Sequence, residues 1–153
     1  MDEKWGRRLF TAGAVVLLLL GAVHSLSLFE KPIPANETEK QLLDLMTNYH
    51  FNLMGSLRSM NDLLRGFSIS FMAGVIAFGA IDLALRREAA GVLKRAALVN
   101  TIWLAVMTGV SLRYFFAAPT AFLAVALVIF AAAWIRIPGE DIVRKVDSGG
   151  DTE

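Results

Sequence analysis

Hydrophobic residues gather along this chain into four long runs, separated by polar segments of unequal length. The runs extend from Leu9 to Phe29, from Phe67 to Leu85, from Ala96 to Phe116 and from Pro119 to Ile135. Each approaches the roughly 20 apolar residues an α-helix needs to cross the hydrocarbon core of a bilayer. Asn100 and Thr108 interrupt the third run and Asp82 falls near the end of the second, but Ile, Val, Phe, Ala and Leu fill the positions between them. The pattern predicts an all-α protein with a four-transmembrane-helix domain over 1–137. A cytoplasmic tail, 138–153, is rich in charge and ends on Ser148-Gly149-Gly150-Asp151, a composition expected to be disordered.

Two connections read as tight hairpins, Arg86 to Arg95 between spans two and three and Ala117-Ala118-Pro119 between spans three and four. Short links make consecutive spans antiparallel neighbours in a bundle. The segment from Glu30 to Gly66 is too long for a plain connector. Pro32 and Pro34 break the exit from span one. Glu37-Thr38-Glu39-Lys40 then leads into Leu42, Leu43, Leu45 and Met46, spacing that predicts an amphipathic helix lying on the outer surface. Gly55 permits a turn, and Ser59 is the expected N-cap of a helix that continues through Asn61-Asp62 into span two. Asn36-Glu37-Thr38 matches a glycosylation acceptor, which matters only in a eukaryotic secretory pathway.

Orientation follows from Lys and Arg in the flanks, because short cytoplasmic segments retain positive charge. One side collects Lys4, Arg7, Arg8, Arg86, Arg87, Lys94, Arg95, Arg136, Arg144 and Lys145; the other holds Lys31, Lys40, Arg58, Arg65 and Arg113. Both termini are therefore expected in the cytoplasm. A second reading of the N-terminus takes Lys4, Arg7 and Arg8 with the apolar run and Ser25-Leu26-Ser27 as a cleaved secretory signal. The run exceeds the usual core of about 7–15 residues, which favours a retained span.

Composition agrees with the pattern. At 153 residues the chain is 56% hydrophobic with a mean hydropathy of +0.54, and only 19% of it is charged. Soluble domains run at roughly 45–50% apolar and about a quarter charged, so the arithmetic points away from a soluble globule. The formal net charge of +1 supplies no basic field for nucleic acid. With no cysteine, disulfides, iron-sulfur clusters and thiolate-bound zinc are excluded as well.

Ionisable groups inside spans are costly enough to be candidate functional residues. Gly13, Leu17, Gly21 and His24 recur at three- and four-residue steps, which puts His24 on a face whose small residues allow close helix approach. Asp62, Gly66, Ser70 and Gly74 form a small-residue stripe headed by a carboxylate, expected to pack internally, and Arg58 lies one helical turn before Asp62 if the helix begins that early. Arg113 and Tyr114 end span three. These five residues are expected at one level near the outer leaflet, with His24 and Asp62 as candidate acid-base groups and Arg58, Arg113 and Tyr114 as candidate substrate contacts. A structural role, tying the long loop to the bundle, fits the same residues. Asp82 is expected to pair with Arg86, Asn100 to act as interhelical glue, and the Trp side chains to serve as belt and packing residues. His24 and His50 do not fall on facing elements, as two imidazoles binding haem would need. No phosphate-binding loop, HExxH, GxSxG or Glu-x-x-His array occurs, so neither metal nor cofactor is expected.

Several stretches carry a resemblance: Gly21-Ala22-Val23-His24, the run Phe51 to Asp62, Arg113-Tyr114-Phe115-Phe116 and Pro119. Over nearly its whole length the chain resembles a family of small, largely uncharacterised bacterial four-helix integral membrane proteins. That family carries Gly-His-Thr where this chain has Val23-His24-Ser25, and Ser-Tyr-Trp-Asp where it has Ser59-Met60-Asn61-Asp62. The resemblance implies the four-helix fold, a bacterial origin and an inner-membrane location, and it supplies no reaction. Partners expected on this basis are membrane lipids, an amphiphilic small molecule entering laterally, and further copies or a larger membrane complex.

Overall fold

The structure, a computed structural model, describes residues 3–139. Its elements are α1 (Glu3–Ser27), α2 (Glu37–Asn48), β1 (His50–Leu53), β2 (Ser56–Ser59), α3 (Met60–Leu85), α4 (Ala90–Tyr114) and α5 (Ala117–Arg136). Helices α1, α3, α4 and α5 are each long and apolar enough to cross a membrane. Of the tail expected to be disordered, 140–153 lie outside the described residues, Arg144 and Lys145 among them.

The turns between the later helices are shorter than the apolar runs predict. Helix α4 begins at Ala90 rather than after Arg95, leaving only residues 86–89 as the link, and the Glu88 N–H donates to the Leu85 carbonyl at 2.8 Å. Helix α5 begins at Ala117, so the break falls on Phe115-Phe116 and not on Ala117-Ala118-Pro119. Pro119 fits inside the first turn because the N–H it lacks would have had no intrahelical partner there.

The described residues pack as two compact units, one of residues 3–17 with 78–139 and the other Leu18–Ala77. In the first unit α4 packs along α5, and the first half of α1 meets α5 as well. The Phe10 and Phe130 rings meet edge to face at 5.6 Å, both fully buried. A Cβ at Gly13 would stand 2.7–2.9 Å from the Phe130 ring, and one at Gly6 would stand 2.7 Å from Ile137 Cγ1. Absence of a side chain at these two positions is what lets α1 approach. On α4 the buried face runs Gly91, Leu93, Ala97, Asn100, Leu104, Thr108 and Ser111. Ser111 Oγ lies 2.7 Å from Thr120 Oγ1 on α5; because the Thr120 hydroxyl donates to the Phe116 carbonyl, Ser111 is the donor of that pair. Phe78 stacks on Trp103 at 4.8 Å, so Trp103 has a packing role.

In the second unit Gly21 of α1 abuts Ile76 of α3, whose Cγ1 would lie 2.5 Å from an added Cβ. Helix α2 starts where the sequence predicts a helix. Asn36 is its N-cap, its Oδ1 accepting the Glu39 N–H at 2.9 Å, while Glu39 Oε2 accepts the Ala35 N–H at 2.7 Å. None of its residues is buried: Leu42 and Leu45 are exposed, and Leu43 and Met46 half-buried.

An antiparallel hairpin follows, pairing His50 with Ser59 and Leu53 with Ser56 around Met54-Gly55. The reading of Gly55 as a turn residue is correct; the strands on either side were not foreseen. Both turn residues have positive φ, +50° at Met54 and +90° at Gly55, the two-residue turn whose twist matches that of paired strands. Asn52 Oδ1 accepts the Gly55 N–H at 2.8 Å and holds the turn closed.

The stripe Gly66, Ser70, Gly74 departs from expectation. Nothing lies within 4 Å of a Cβ built on Gly66 or Gly74, and Gly66 and Ser70 are exposed, so within its own unit the stripe is not packed. Periodicity places these residues on one face but does not say what covers it; Gly6, Gly13 and Gly21 are the glycines that closely face a side chain of another segment. The two sets make opposite predictions. Gly13→Ala should cost about 1–3 kcal/mol through overpacking against Phe130, and Gly74→Ala should be neutral or gain up to about 1 kcal/mol from reduced chain entropy. Denaturant unfolding of both variants in detergent checks this, and equal losses would contradict the packing described.

Candidate functional site

The five residues expected to meet near one end of the helices divide between the units: His24, Arg58 and Asp62 belong to the second, Arg113 and Tyr114 to the first.

Asp62 stands in the first turn of α3, and its carboxylate is engaged. Asp62 Oδ2 accepts the Ser59 N–H at 2.9 Å, and the Asp62 N–H donates to Ser59 Oγ at 3.1 Å. This is a reciprocal capping box, with Ser59 as N-cap and an aspartate at the third helical position where Glu or Gln is more usual. Ser59 is buried although its neighbours in β2 are exposed. The box therefore fixes the junction at which the hairpin hands the chain to α3. Ser59 as cap is the reading the sequence supports.

Arg58 does not pair with Asp62. It lies in β2, where side chains alternate between faces, rather than a helical turn below Asp62, and its Nη1 donates to the Leu57 carbonyl at 2.8 Å. Both residues are exposed, and together with Leu63, Gly66, Phe67 and Ser70 they line an open groove of about 420 Å³. A second groove, about 490 Å³, runs from Ser27–Pro32 to Asn61, Leu64, Arg65 and Ser68. Arg65, on a neighbouring face of α3, thus belongs to different surroundings from Arg58.

His24 is half-buried near the end of α1. Its ring meets that of Phe71 edge to face at 5.2 Å, and its Nε2 is buried without a hydrogen-bond partner. No hydrogen bond or ion pair links His24 to Asp62 among the described residues. His50 sits on the exposed hairpin with Nδ1 3.0 Å from the Asn48 carbonyl oxygen.

Arg113 and Tyr114, both exposed, close α4; the guanidinium lies 5.5 Å from the Tyr114 ring centroid. A cation in the last turn of a helix is favoured by the helix dipole, and this ring adds a cation-π contact. Among the described residues no group of three or more His, Cys, Asp or Glu side chains is placed to hold a metal ion.

The polar site that sequence reasoning assigned wrongly is on the other unit. Asp82, expected to pair with Arg86, is 2% exposed, and its two carboxylate oxygens each accept from Asn100 Nδ2 at 3.0 Å. Helix α3 ends at Leu85, so Arg86 lies beyond the last turn and the i, i+4 geometry is lost. Asn100 is interhelical glue, as its position in span three implies, and the missed partner is the aspartate 18 residues earlier.

Four helices of spanning length and hydropathy define a multi-pass helical membrane protein. Comparison with protein-family models, curated proteins and solved structures finds no match to the chain.

The capping box makes a prediction of its own. Ser59→Ala should destabilise the protein by about 1 kcal/mol, the usual cost of losing an N-cap, whereas Arg58→Ala should change stability little at low or high salt. Thermal unfolding in detergent at two ionic strengths measures both, and a salt-dependent loss on removing Arg58 would reinstate an ion pair at this site.

Proposed function

We propose that the protein is a non-enzymatic component of a bacterial inner membrane, a binding, transport or complex-subunit protein whose outer polar residues organise the long loop. The observation that carries this reading is the engagement of Asp62 in the capping box at 2.9 Å from the Ser59 amide, with no link to His24. A general base must reach the proton it moves; this carboxylate instead anchors the start of α3. The four helices form an antiparallel bundle with both termini in the cytoplasm and the segment from Glu30 to Gly66 outside. In that arrangement α2 lies on the outer surface as an amphipathic helix, its Leu42, Leu43, Leu45 and Met46 turned to lipid or to a partner subunit. The resemblance to small bacterial four-helix membrane proteins supports the same assignment, and membrane lipids and other membrane proteins are its natural partners.

One observation favours a second reading. The buried, unpartnered Nε2 of His24 leaves an imidazole with its proton chemistry unused, as a membrane enzyme working on a lipid-like or isoprenoid substrate would need. In that reading Asp62 supplies the second acid-base group, and Arg58, Arg113 and Tyr114 contact the substrate.

His24→Phe separates the two. It keeps an aromatic ring against Phe71 and deletes both nitrogens. The non-enzymatic reading expects stability equal to or above that of the parent protein, and the same thermal response to native lipid extracts. Loss of a lipid-induced shift with stability retained would place a lipid ligand at His24, and conversion of that lipid by the parent protein but not by the variant would transfer the assignment to the enzyme. Topology has a separate check: reporter fusions after Arg87 and after Lys40 should report opposite compartments, and matching signals would remove the four-span arrangement.

A further inference from the structure

Arg58 and Asp62 carry opposite charges, are both exposed and line one groove, yet they do not pair; the salt bridges among the described residues join Arg7 to Glu3 and Lys40 to Glu37. The Arg58 Nη1 donates to the Leu57 carbonyl at 2.8 Å, and the other guanidinium N–H donors have no acceptor among the described residues. Asp62 Oδ2 accepts the Ser59 N–H at 2.9 Å, and its Oδ1 takes no hydrogen bond among the described residues. A cation and an anion thus share the groove with hydrogen-bonding capacity left on each. An exposed ion pair between them would be worth little, so little is given up when a ligand bridges the two.

The rest of the groove has a different character. Gly66 and Ser70 follow Asp62 at four-residue steps along α3, and Leu63 and Phe67 keep the same spacing one position on. A Cβ at Gly66 would meet nothing within 4 Å, and Phe67 is exposed, so the floor is small and the flank apolar. The groove, about 420 Å³, falls within the roughly 300–1,000 Å³ of small-molecule sites. Its whole lining belongs to the second unit. Helix α3 is long and apolar enough to cross a membrane, and these residues occupy its opening turns and the strand before it. The charges therefore sit at the end of a span, the depth of lipid headgroups, and the strip through Gly66 and Ser70 runs toward the acyl chains.

We propose that this groove binds one phospholipid with a phosphoethanolamine headgroup, its phosphate on Arg58, its ammonium on Asp62 Oδ1 and an acyl chain along Gly66 and Ser70 beside Phe67. The charge pattern makes the choice. A zwitterionic headgroup brings one anion and one cation to a groove that offers one of each, whereas an anionic lipid without an amine would leave Asp62 facing phosphate. A primary ammonium donates N–H to a carboxylate; the trimethylated nitrogen of choline has no N–H to give. The planar fork of Arg58 suits phosphate oxygens. The second groove is the contrast, since Glu30, Lys31 and Arg65 give it a surplus of positive charge. This site gives the binding reading above its ligand and rests on that reading.

The test uses the full chain purified in detergent and unfolded thermally, with palmitoyl-oleoyl phosphatidylethanolamine, phosphatidylcholine or phosphatidylglycerol added at equal mole ratio. Only the first should give a saturable rise; at ten times its Kd the folded-to-unfolded ratio should increase about elevenfold by mass action. Native mass spectrometry of the unaltered protein, which needs no variant to fold, should show one phosphatidylethanolamine retained under delipidation that strips the other two lipids. Arg58→Gln and Asp62→Asn should each weaken its binding about tenfold; the new amide keeps an oxygen for the Ser59 N–H, so the cap survives. Gly66→Leu, placed where a Cβ meets nothing, should fold as the parent does and lose the lipid by filling the groove. Arg65→Gln, in the other groove, should bind as the parent does. Equal stabilisation by all three lipids, or equal losses at Arg65 and Arg58, would make the groove ordinary lipid-facing surface and overturn the proposal. So would equal stabilisation by glycerophosphoethanolamine, which has the headgroup without the chains. Recovery of the retained lipid in chemically altered form would overturn the non-enzymatic reading alone and support the contact with Arg58 and Asp62.

Discussion

Inside hydrocarbon no water is available to a peptide group, so every backbone N–H and C=O within a span must find its partner in the same chain. That constraint turns the four apolar runs into helices and makes each helix end and each polar side chain an accounting problem. Solutions here are local at most positions. Asn36 and Ser59 cap the helices that follow them, Thr11, Thr101 and Thr120 return their hydroxyls to the preceding turn, and Ser111 finds Thr120 across a two-residue break. Where a solution is not local, as at Asp82 and Asn100, two helices are tied together by it. The non-local bonds are few, and each therefore has a large say in which helix faces meet.

Lipid tails are as apolar as leucine, so helices in a membrane do not associate to escape water; contact must come from close fit. In this chain the fit is made by glycine opposite a bulky side chain: Gly13 against Phe130, Gly6 against Ile137, Gly21 against Ile76. Each pairing allows dispersion contacts over an area that a Cβ would close off. Small residues at four-residue spacing are not sufficient for such packing, because Gly66 and Gly74 share the spacing and face open space. What distinguishes the first set is the complementary side chain on a helix far away in sequence.

The same distinction separates what was legible in the sequence from what was not. Spans, the α2 start and the Ser59 cap depend on composition or on residues within one helical turn, and these are readable because the physics that sets them is equally local. The hairpin is not legible in the sequence because its strands are four residues each and its turn places Met54, not Asn or Asp, at a positive φ before Gly55. Asp82 was assigned to Arg86 by a helical rule that fails one residue past the end of α3. Its true partner is on another helix, a fact carried by tertiary packing and by nothing in the neighbourhood of either residue. Whether Arg58 would face Asp62 depended on the hairpin, and so was not readable either.

Three buried polar atoms have no partner among the described residues: His24 Nε2, Asn100 Oδ1 and Thr108 Oγ1. Leaving such a group unsatisfied costs about 1–3 kcal/mol, against a net folding stability of only about 5–15 kcal/mol for a typical domain. A chain that is 56% hydrophobic has ample apolar residues to place at these positions, so the polar choice is not forced by composition. Thr108 is the mildest case, since a hydroxyl can rotate toward a carbonyl of its own helix. The amide of Asn100 has no such freedom, because its nitrogen is held on three acceptors at once. The unpaired oxygen is therefore a direct consequence of serving Asp82: the amide that ties α4 to α3 does so at the standing cost of one unsatisfied carbonyl.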